Sequence, residues 1–122
     1  MDVDNLLNPH RIKLIRLSYF KLHSFKGECM GNNDKFIEKS NILKALAHPT
    51  RLCIVKGLIE KENNVTTIQE CLELPQSTTS QYLFKLKAAG IIMGERNGLE
   101  INYRVINEDA KKVVDVLFPE DN

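Results

Sequence analysis

The chain of 122 residues contains no tryptophan, three cysteines and no long apolar run. A membrane-spanning helix needs about 20 consecutive apolar residues, so we expect neither such a helix nor a membrane partner. Cys29, Cys53 and Cys71 are odd in number and widely spaced, which predicts free thiols in a reducing compartment, the cytoplasm. Because 43% of the residues are hydrophobic, the sequence is typical of one small globular domain with a single core.

Motifs that carry catalytic chemistry are also missing. The sequence has no glycine-rich phosphate loop, no cluster of metal ligands and no nucleophile motif. Asp109 and Asp115 stand near Lys111 and Lys112 on a predicted helix, so ordinary ion pairing explains these carboxylates. We therefore expect no enzyme and no cofactor.

The net charge is small, but the charges are unevenly distributed. The formal net charge is +1 and the pI is about 7.7, whereas a DNA-binding domain is often more basic. Residues 9–26 carry five basic residues and no acid, and residues 107–122 carry five acids against two lysines. The total charge therefore does not by itself indicate a nucleic-acid partner.

The basic segment lies in an N-terminal extension, residues 1–32, which has three interpretations. It is a basic amphipathic anchor for a membrane surface or for DNA, an extra helix with solvated charges, or a leader that is not native coding sequence. The third interpretation rests on residues 26–28, Lys-Gly-Glu, whose codons can contain a ribosome-binding sequence just before Met30. We expect the folded domain to occupy residues 33–119.

Residues 65–90 predict two helices joined by a tight turn. Thr66 and Thr67 both fit the capping-box spacing at the start of the first helix. Residues 73–75, Glu-Leu-Pro, break it. The second helix is predicted over residues 76–88, and Gly90 suits the left-handed position after its end.

The flanking segments complete the predicted fold. Strands are expected at about residues 91–96 and 100–106, and the Asn-Gly pair at 97–98 between them is a strong hairpin signal. Two helices are expected before this stretch, from residue 33 to 47 and from Pro49, with a polar loop at 61–64. One helix follows, from Asn107 to the residue before Pro119. The fold class is mainly α with a β-hairpin wing, in the order α-α-α-α-β-β-α of a winged helix-turn-helix.

The helix over residues 76–88 has two distinct faces. Apolar or core-compatible side chains recur at i, i+3, i+4 and i+7: Thr79, Tyr82, Leu83 and Leu86. A second face carries hydroxyls, an amide and a cation but no carboxylate. Such groups can read base edges or bind phosphate. The alternative is a solvated polar face, which most surface helices have.

Three separated motifs, in this order, resemble the ArsR/SmtB family of bacterial repressors. They are ALAHPTRL (residues 45–52), LPQSTTSQYLFKLKAAGII (residues 74–92) and NGLEINYRV (residues 97–105). The resemblance covers residues 35–118 and implies a transcriptional repressor that binds double-stranded DNA, at a palindromic operator, as a homodimer. Two recognition helices about 34 Å apart can enter successive major grooves, which also favours a dimer.

The resemblance and the helix pattern together give candidate site residues. We expect DNA contacts from the helix over residues 76–88 and from the hairpin: Gln76, Ser77, Thr78, Ser80, Gln81, Lys85, Arg96 and Asn97. By resemblance, the first and last helices of the domain form the dimer interface. Its expected residues are Phe36, Ile37, Val114, Leu117 and Phe118.

Metal sites of the family do not match this sequence. The Cys-x-Cys positions of its thiolate site are Asn64 and Thr66 here, and the last helix contains no histidine. Zinc needs about four nitrogen, sulfur or oxygen ligands. We expect His10, His23 and His48 to be structural or solvated, and we expect no metal.

Thiol sensing by the family's cysteine pair is not expected either, because the last helix has no cysteine. Cys53 and Cys71 are interpreted as small core hydrophobes. Two alternatives to a simple repressor stay open. One is a winged-helix protein-interaction module without DNA binding. The other is a repressor that responds to a thiol reagent or a small molecule.

Overall fold

The computed structural model describes residues 33–121. In chain order the elements are α1 (Asn33–Leu46), α2 (Pro49–Glu60), β1 (Asn63–Asn64), α3 (Val65–Leu72), α4 (Gln76–Ala88), β2 (Ile92–Asn97), β3 (Glu100–Val105), α5 (Glu108–Leu117) and a 3-10 turn (Pro119–Asp121). The interpretations of residues 1–32 lie outside the described residues. The fold below is that of residues 38–121. Within the described range, no helix is long and apolar enough to cross a bilayer.

The predicted fold class is confirmed. Helices α3 and α4 with the turn between them form the helix-turn-helix, and β2 and β3 form the wing. The core gathers side chains from every helix and from the sheet: Ile42, Ala45, Leu46, Ile54, Val55, Leu58, Ile68, Leu83, Leu86, Ile91, Ile92, Val105, Ala110 and Val114. On α4, Thr79, Leu83 and Leu86 are buried and Tyr82 packs against them in part, as the stripe predicts.

Side chains cap the first helices of the core. His48 has extended backbone angles, as expected before Pro49, and its Nδ1 accepts a hydrogen bond of 3.2 Å from the Thr50 amide. Arg51 donates from Nε to the Ala45 carbonyl at 2.7 Å, which satisfies an open carbonyl at the end of α1. The loop between α1 and α2 is therefore fixed by hydrogen bonds at both helix ends.

The predicted cap of α3 is wrong. The helix begins at Val65, so Asn64 is its N-cap, and Asn64 Oδ1 accepts a hydrogen bond of 2.8 Å from the Thr67 amide. Asparagine caps as well as serine or threonine does, so Thr66 and Thr67 become ordinary first-turn residues. Asn64 thus has a structural role as the cap of α3.

A left-handed residue makes the turn between α3 and α4. Glu73 has φ 54°, and the amides of Glu73 and Leu74 donate to the carbonyls of Glu70 and Gln69 at 3.3 and 3.4 Å. This is the Schellman pattern that closes a helix. A non-glycine residue in this conformation costs roughly 1–2 kcal/mol, so the surrounding packing must offset it. Pro75 then starts α4 without continuing α3.

Helix α4 ends at Ala88, as predicted, and Gly90 occupies the left-handed position after its end, with a φ of 74°. The Gly90 amide donates to the Lys87 carbonyl at 3.0 Å, and the Ile91 amide donates to the Leu86 carbonyl at 3.1 Å. Ile91 and Leu86 are both fully buried, which adds the apolar contact typical of this motif. The end of α4 is therefore tied to the core and to the start of the wing.

The sheet is antiparallel in the order β1-β3-β2. In the wing, Asn97 pairs with Glu100, so the two-residue turn is Gly98-Leu99 and the predicted Asn97-Gly98 turn is one residue too early. Positive φ at the first central residue alone is the type II′ pattern. The predicted polar loop at residues 61–64 contains β1, which pairs with β3 at Tyr103 and Asn102. Two asparagines carry no apolar alternation, so the sequence has no strand signal there.

An ion pair joins α1 to α5. Lys39 Nζ donates to Asp109 Oδ2, and this hydrogen bond raises the pKa of Lys39 above its ordinary value, against an opposing effect of desolvation. Lys111 pairs instead with Glu108 at 3.1 Å. Asp109 therefore has a partner 70 residues away in sequence, which the expectation of pairing within the last helix did not include.

Candidate nucleic-acid interface

The outward face of α4 lies opposite its buried stripe. Ser77, Gln81 and Phe84 are all exposed and follow one another at i, i+4 and i+7. The other expected contact residues of this helix flank that line. Gln76, Ser80 and Lys85 are exposed, and Thr78 is half-buried. The face is therefore accessible along three turns, and it carries no carboxylate.

The N-terminus of α4 differs from those of α2, α3 and α5. Its N-cap residue, Pro75, makes no side-chain capping hydrogen bond, whereas His48, Asn64 and Asn107 cap the other three helices. Thr79 Oγ1 turns back to the Pro75 carbonyl at 3.2 Å. The first amides of α4 therefore lack a side-chain acceptor, and the positive end of the helix dipole suits a phosphate oxygen.

The wing carries its expected residues on exposed positions of β2. Arg96 stands opposite Ile101, and Asn97 stands opposite Glu100 next to the turn. Leu99, at the tip, is fully exposed. The wing strands carry two acids, Glu95 and Glu100, beside two cations, Arg96 and Arg104, so they have no net positive charge.

Phe84 is a surface feature that the expected contact set does not include. Its side chain is 71% exposed, and it lines an open groove between α4 and the end of α1. Lys44, Arg51 and Lys85 line the same groove. The helical spacing from Ser77 and Gln81 was the signal that could have added Phe84 to the outward face.

The interpretation of the two cysteines as core residues is wrong. Cys53 and Cys71 are both exposed free thiols. Both thiols are exposed although Cys53 directly precedes the buried Ile54 and Cys71 lies about one helical turn after the buried Ile68. Both line a cavity between α2 and α3.

The residues expected at a dimer interface fall into two groups. Phe36, Ile37 and Leu117 are each about half exposed in the single chain. Val114 is 3% exposed and belongs to the chain's own core, and Phe118 is half-buried below Lys56, whose Nζ lies 5.5 Å from the ring centroid. Only the first group offers substantial apolar area to a partner.

Comparison with known proteins now gives the family. The model of bacterial regulatory proteins of the arsR family matches residues 48–93. The transcriptional repressor PagR of Bacillus anthracis is 41% identical over 83 residues, which are 67% of this chain and 83% of PagR. The chain belongs to the ArsR family. The biofilm growth-associated repressor of Xylella fastidiosa, 37% identical over 81 residues, shares 66% of this chain and 71% of its own length.

Solved structures agree with this ArsR-family assignment. The crystal structure of PagR has a TM-score of 0.65 and 38% identity, covering 70% of this chain and 99% of that one. The homodimeric winged helix-turn-helix DNA-binding domain of Mycobacterium bovis Mb0332, a possible ArsR-family regulator, has a TM-score of 0.64 and 27% identity over 70% of this chain and 79% of that one. The family consists of transcriptional regulators rather than enzymes.

The expectation that this ArsR-family chain uses no metal stays a prediction. Within residues 33–121, no three histidine, cysteine, aspartate or glutamate side chains come together as a metal site. His48 caps α2, and its ring centroid lies 4.9 Å from that of Tyr82.

Zinc, cadmium or arsenite at micromolar concentration should leave both the melting temperature and the affinity for DNA unchanged. A tetrahedral site needs about four ligands, and residues 33–121 do not bring even three potential ligands together. The measurement is a thermal melt and a DNA titration with each ion. Stoichiometric zinc binding accompanied by loss of DNA binding would show the prediction to be wrong.

Proposed function

We propose that this chain is a sequence-specific DNA-binding repressor that acts on a palindromic operator as a homodimer. The observation that carries the proposal is the outward face of α4. It is exposed, lacks carboxylates, combines an amide and hydroxyls with Lys85, and begins at a helix end without a side-chain cap. A helix with these properties can enter a major groove with its N-terminal turns toward the bases.

Each candidate residue then has a role. Gln81, at the centre of the face, can donate and accept together, which suits the edge of adenine. Ser77 and Thr78 approach bases or phosphates beside it. Gln76 and Ser80 make flanking contacts, and Lys85 neutralises a phosphate.

Two further groups extend the interface. Arg96 and Asn97 on the wing meet the backbone or the minor groove next to the site read by α4. Phe84 supplies an apolar contact, which in a major groove fits the methyl group of thymine. Phe84 also gives the protein-interaction alternative its one specific support, because an exposed aromatic residue is common at protein interfaces. Failure to bind any duplex would favour that alternative.

Dimerisation is proposed through α1 and α5. Phe36, Ile37 and Leu117 offer exposed apolar surface on these helices, and Mb0332 is a homodimer. A two-fold axis between the two copies would present two α4 helices to an operator with the same symmetry.

Base reading is tested at the outward face. Gln81→Ala should cost about 1–3 kcal/mol at the operator and relax the preference at one base pair in each half-site, because alanine cannot form the bidentate hydrogen bonds. Phe84→Ala should lower the affinity for the operator as much as replacing the contacted thymine with uracil does. Phe84→Ala combined with the uracil replacement should lower the affinity no further than either change alone, because both remove the same methyl contact. Competition titrations with specific and random duplexes measure both effects. Unchanged base preference in Gln81→Ala would mean that the recognition face is assigned wrongly.

Phosphate binding is tested at the wing. Arg96→Ala should weaken binding to specific and random duplexes alike and reduce the salt slope by about one unit for each phosphate that Arg96 neutralises. Lys112→Ala, which removes an exposed cation from α5, is the control for net charge and should leave the slope unchanged. Equal slopes for the Arg96→Ala variant and the unchanged protein would exclude a phosphate contact by Arg96.

The interface is tested at Leu117, which is 54% exposed in the single chain. Leu117→Glu places a charge where a partner would bury it, which is costly unless the charge is paired, so this variant should sediment as a monomer and bind the operator weakly. Lys112→Glu, at an exposed polar position of the same helix, should remain a dimer. A dimeric Leu117→Glu variant would move the interface elsewhere.

A further inference from the structure

A cavity of about 140 Å³ lies between α2 and α3, away from the outward face of α4. Its walls are mainly apolar, with Ile68 at its base, and it opens to solvent. Asn63 and Thr67 supply polar groups at the wall. An apolar cavity of about 150 Å³ in another protein holds benzene, so this volume fits one compact ring with a small substituent.

Glycine in the interior of α2 keeps one wall of the cavity open. Gly57 lines the cavity, and a Cβ atom built on it would meet no atom within 4 Å. Packing therefore does not require a glycine at this position. Glycine is a poorer helix former than every residue except proline, so it destabilises α2 at this position. Because glycine has no side chain, it also leaves the cavity unobstructed.

Two thiols face the same space from opposite helices. Cys53 stands on α2 and Cys71 on α3, and both are exposed and free of disulfide bonds. Sulfur is polarizable and makes favourable contacts with aromatic rings, so an aromatic occupant suits these walls better than a saturated one. The side-chain amide of Asn63 and the hydroxyl of Thr67 can hydrogen-bond one polar substituent of the occupant.

The position of the cavity links it to the DNA-reading helix. Ile68, at its base, belongs to the core, and α3 is joined to α4 by the three-residue turn at 73–75. A change in the distance between α3 and α2 would therefore also move α4. We propose that the cavity is an effector site for a compact aromatic molecule that carries at most one small polar group. The effector role rests on the proposed DNA binding, whereas occupancy of the cavity does not.

Occupancy is measured without DNA. The full chain is alkylated with iodoacetamide at increasing phenol concentrations, and mass spectrometry follows Cys53 and Cys71 separately, with glutathione in the same tube as the reference thiol. We expect both cysteines to react more slowly along one saturation curve while glutathione is unaffected. Protection of neither cysteine, or of only one, would overturn the proposal.

Two variants at one position show whether protection comes from the cavity. Gly57→Leu extends a side chain from the cavity wall and should abolish protection by phenol, whereas Gly57→Ala adds one carbon and should retain it. Both variants should melt at or above the temperature of the unchanged protein, because each replaces a glycine inside a helix where space is open. Undiminished protection in Gly57→Leu would place phenol outside the cavity and overturn the proposal.

The effector role is measured by operator affinity with and without saturating phenol. We expect phenol to change the operator dissociation constant of the unchanged protein and of Gly57→Ala, but not that of Gly57→Leu. Saturating operator should change the phenol midpoint by the same factor, since coupling is reciprocal. Protection without any change in operator affinity would overturn the effector role. Failure to bind the operator in the absence of phenol would instead contradict the proposed function.

Discussion

Burial of one stripe of α4 determines which of its residues can meet another molecule. Thr79, Leu83 and Leu86 are almost completely withdrawn from solvent, and each buried leucine contributes roughly 1.5–3 kcal/mol. Rotating the helix to present another face would expose these side chains. The hydrogen bonds at Gly90 and Ile91 also fix where the helix ends and the wing begins. The packing of the core therefore determines which face of α4 is free to read DNA in our proposal.

Local signals predicted this part of the molecule well. The break at residues 73–75, the end of α4 at Gly90 and the extended geometry of His48 before Pro49 depend on backbone preferences of a few neighbouring residues. The stripe of α4 depends on helical periodicity, which long regular segments express clearly. The three motifs added the family and hence the proposed function of the outward face.

Features that depend on distant parts of the chain were missed. Strand β1 consists of two asparagines and exists because β3 offers backbone partners at Asn102 and Tyr103. Asp109 pairs with Lys39, which is 70 residues away in sequence. Cys53 and Cys71 follow no periodic signal, and their exposure at a common cavity depends on the packing of α2 against α3. The cavity, unlike the outward face of α4, could therefore be recognised only from the structure.

Selection of bound duplexes from a random DNA library by the purified full chain tests the central claim most directly. Two copies of α4 related by a two-fold axis should enrich an inverted repeat whose half-sites are separated by about one helical turn, roughly 10 base pairs between centres. The preference at the base pairs contacted by Gln81 and Phe84 should relax when α4 carries Gln81→Ala together with Phe84→Ala. A library that emerges without a common sequence, although the protein is folded and dimeric, would contradict the account.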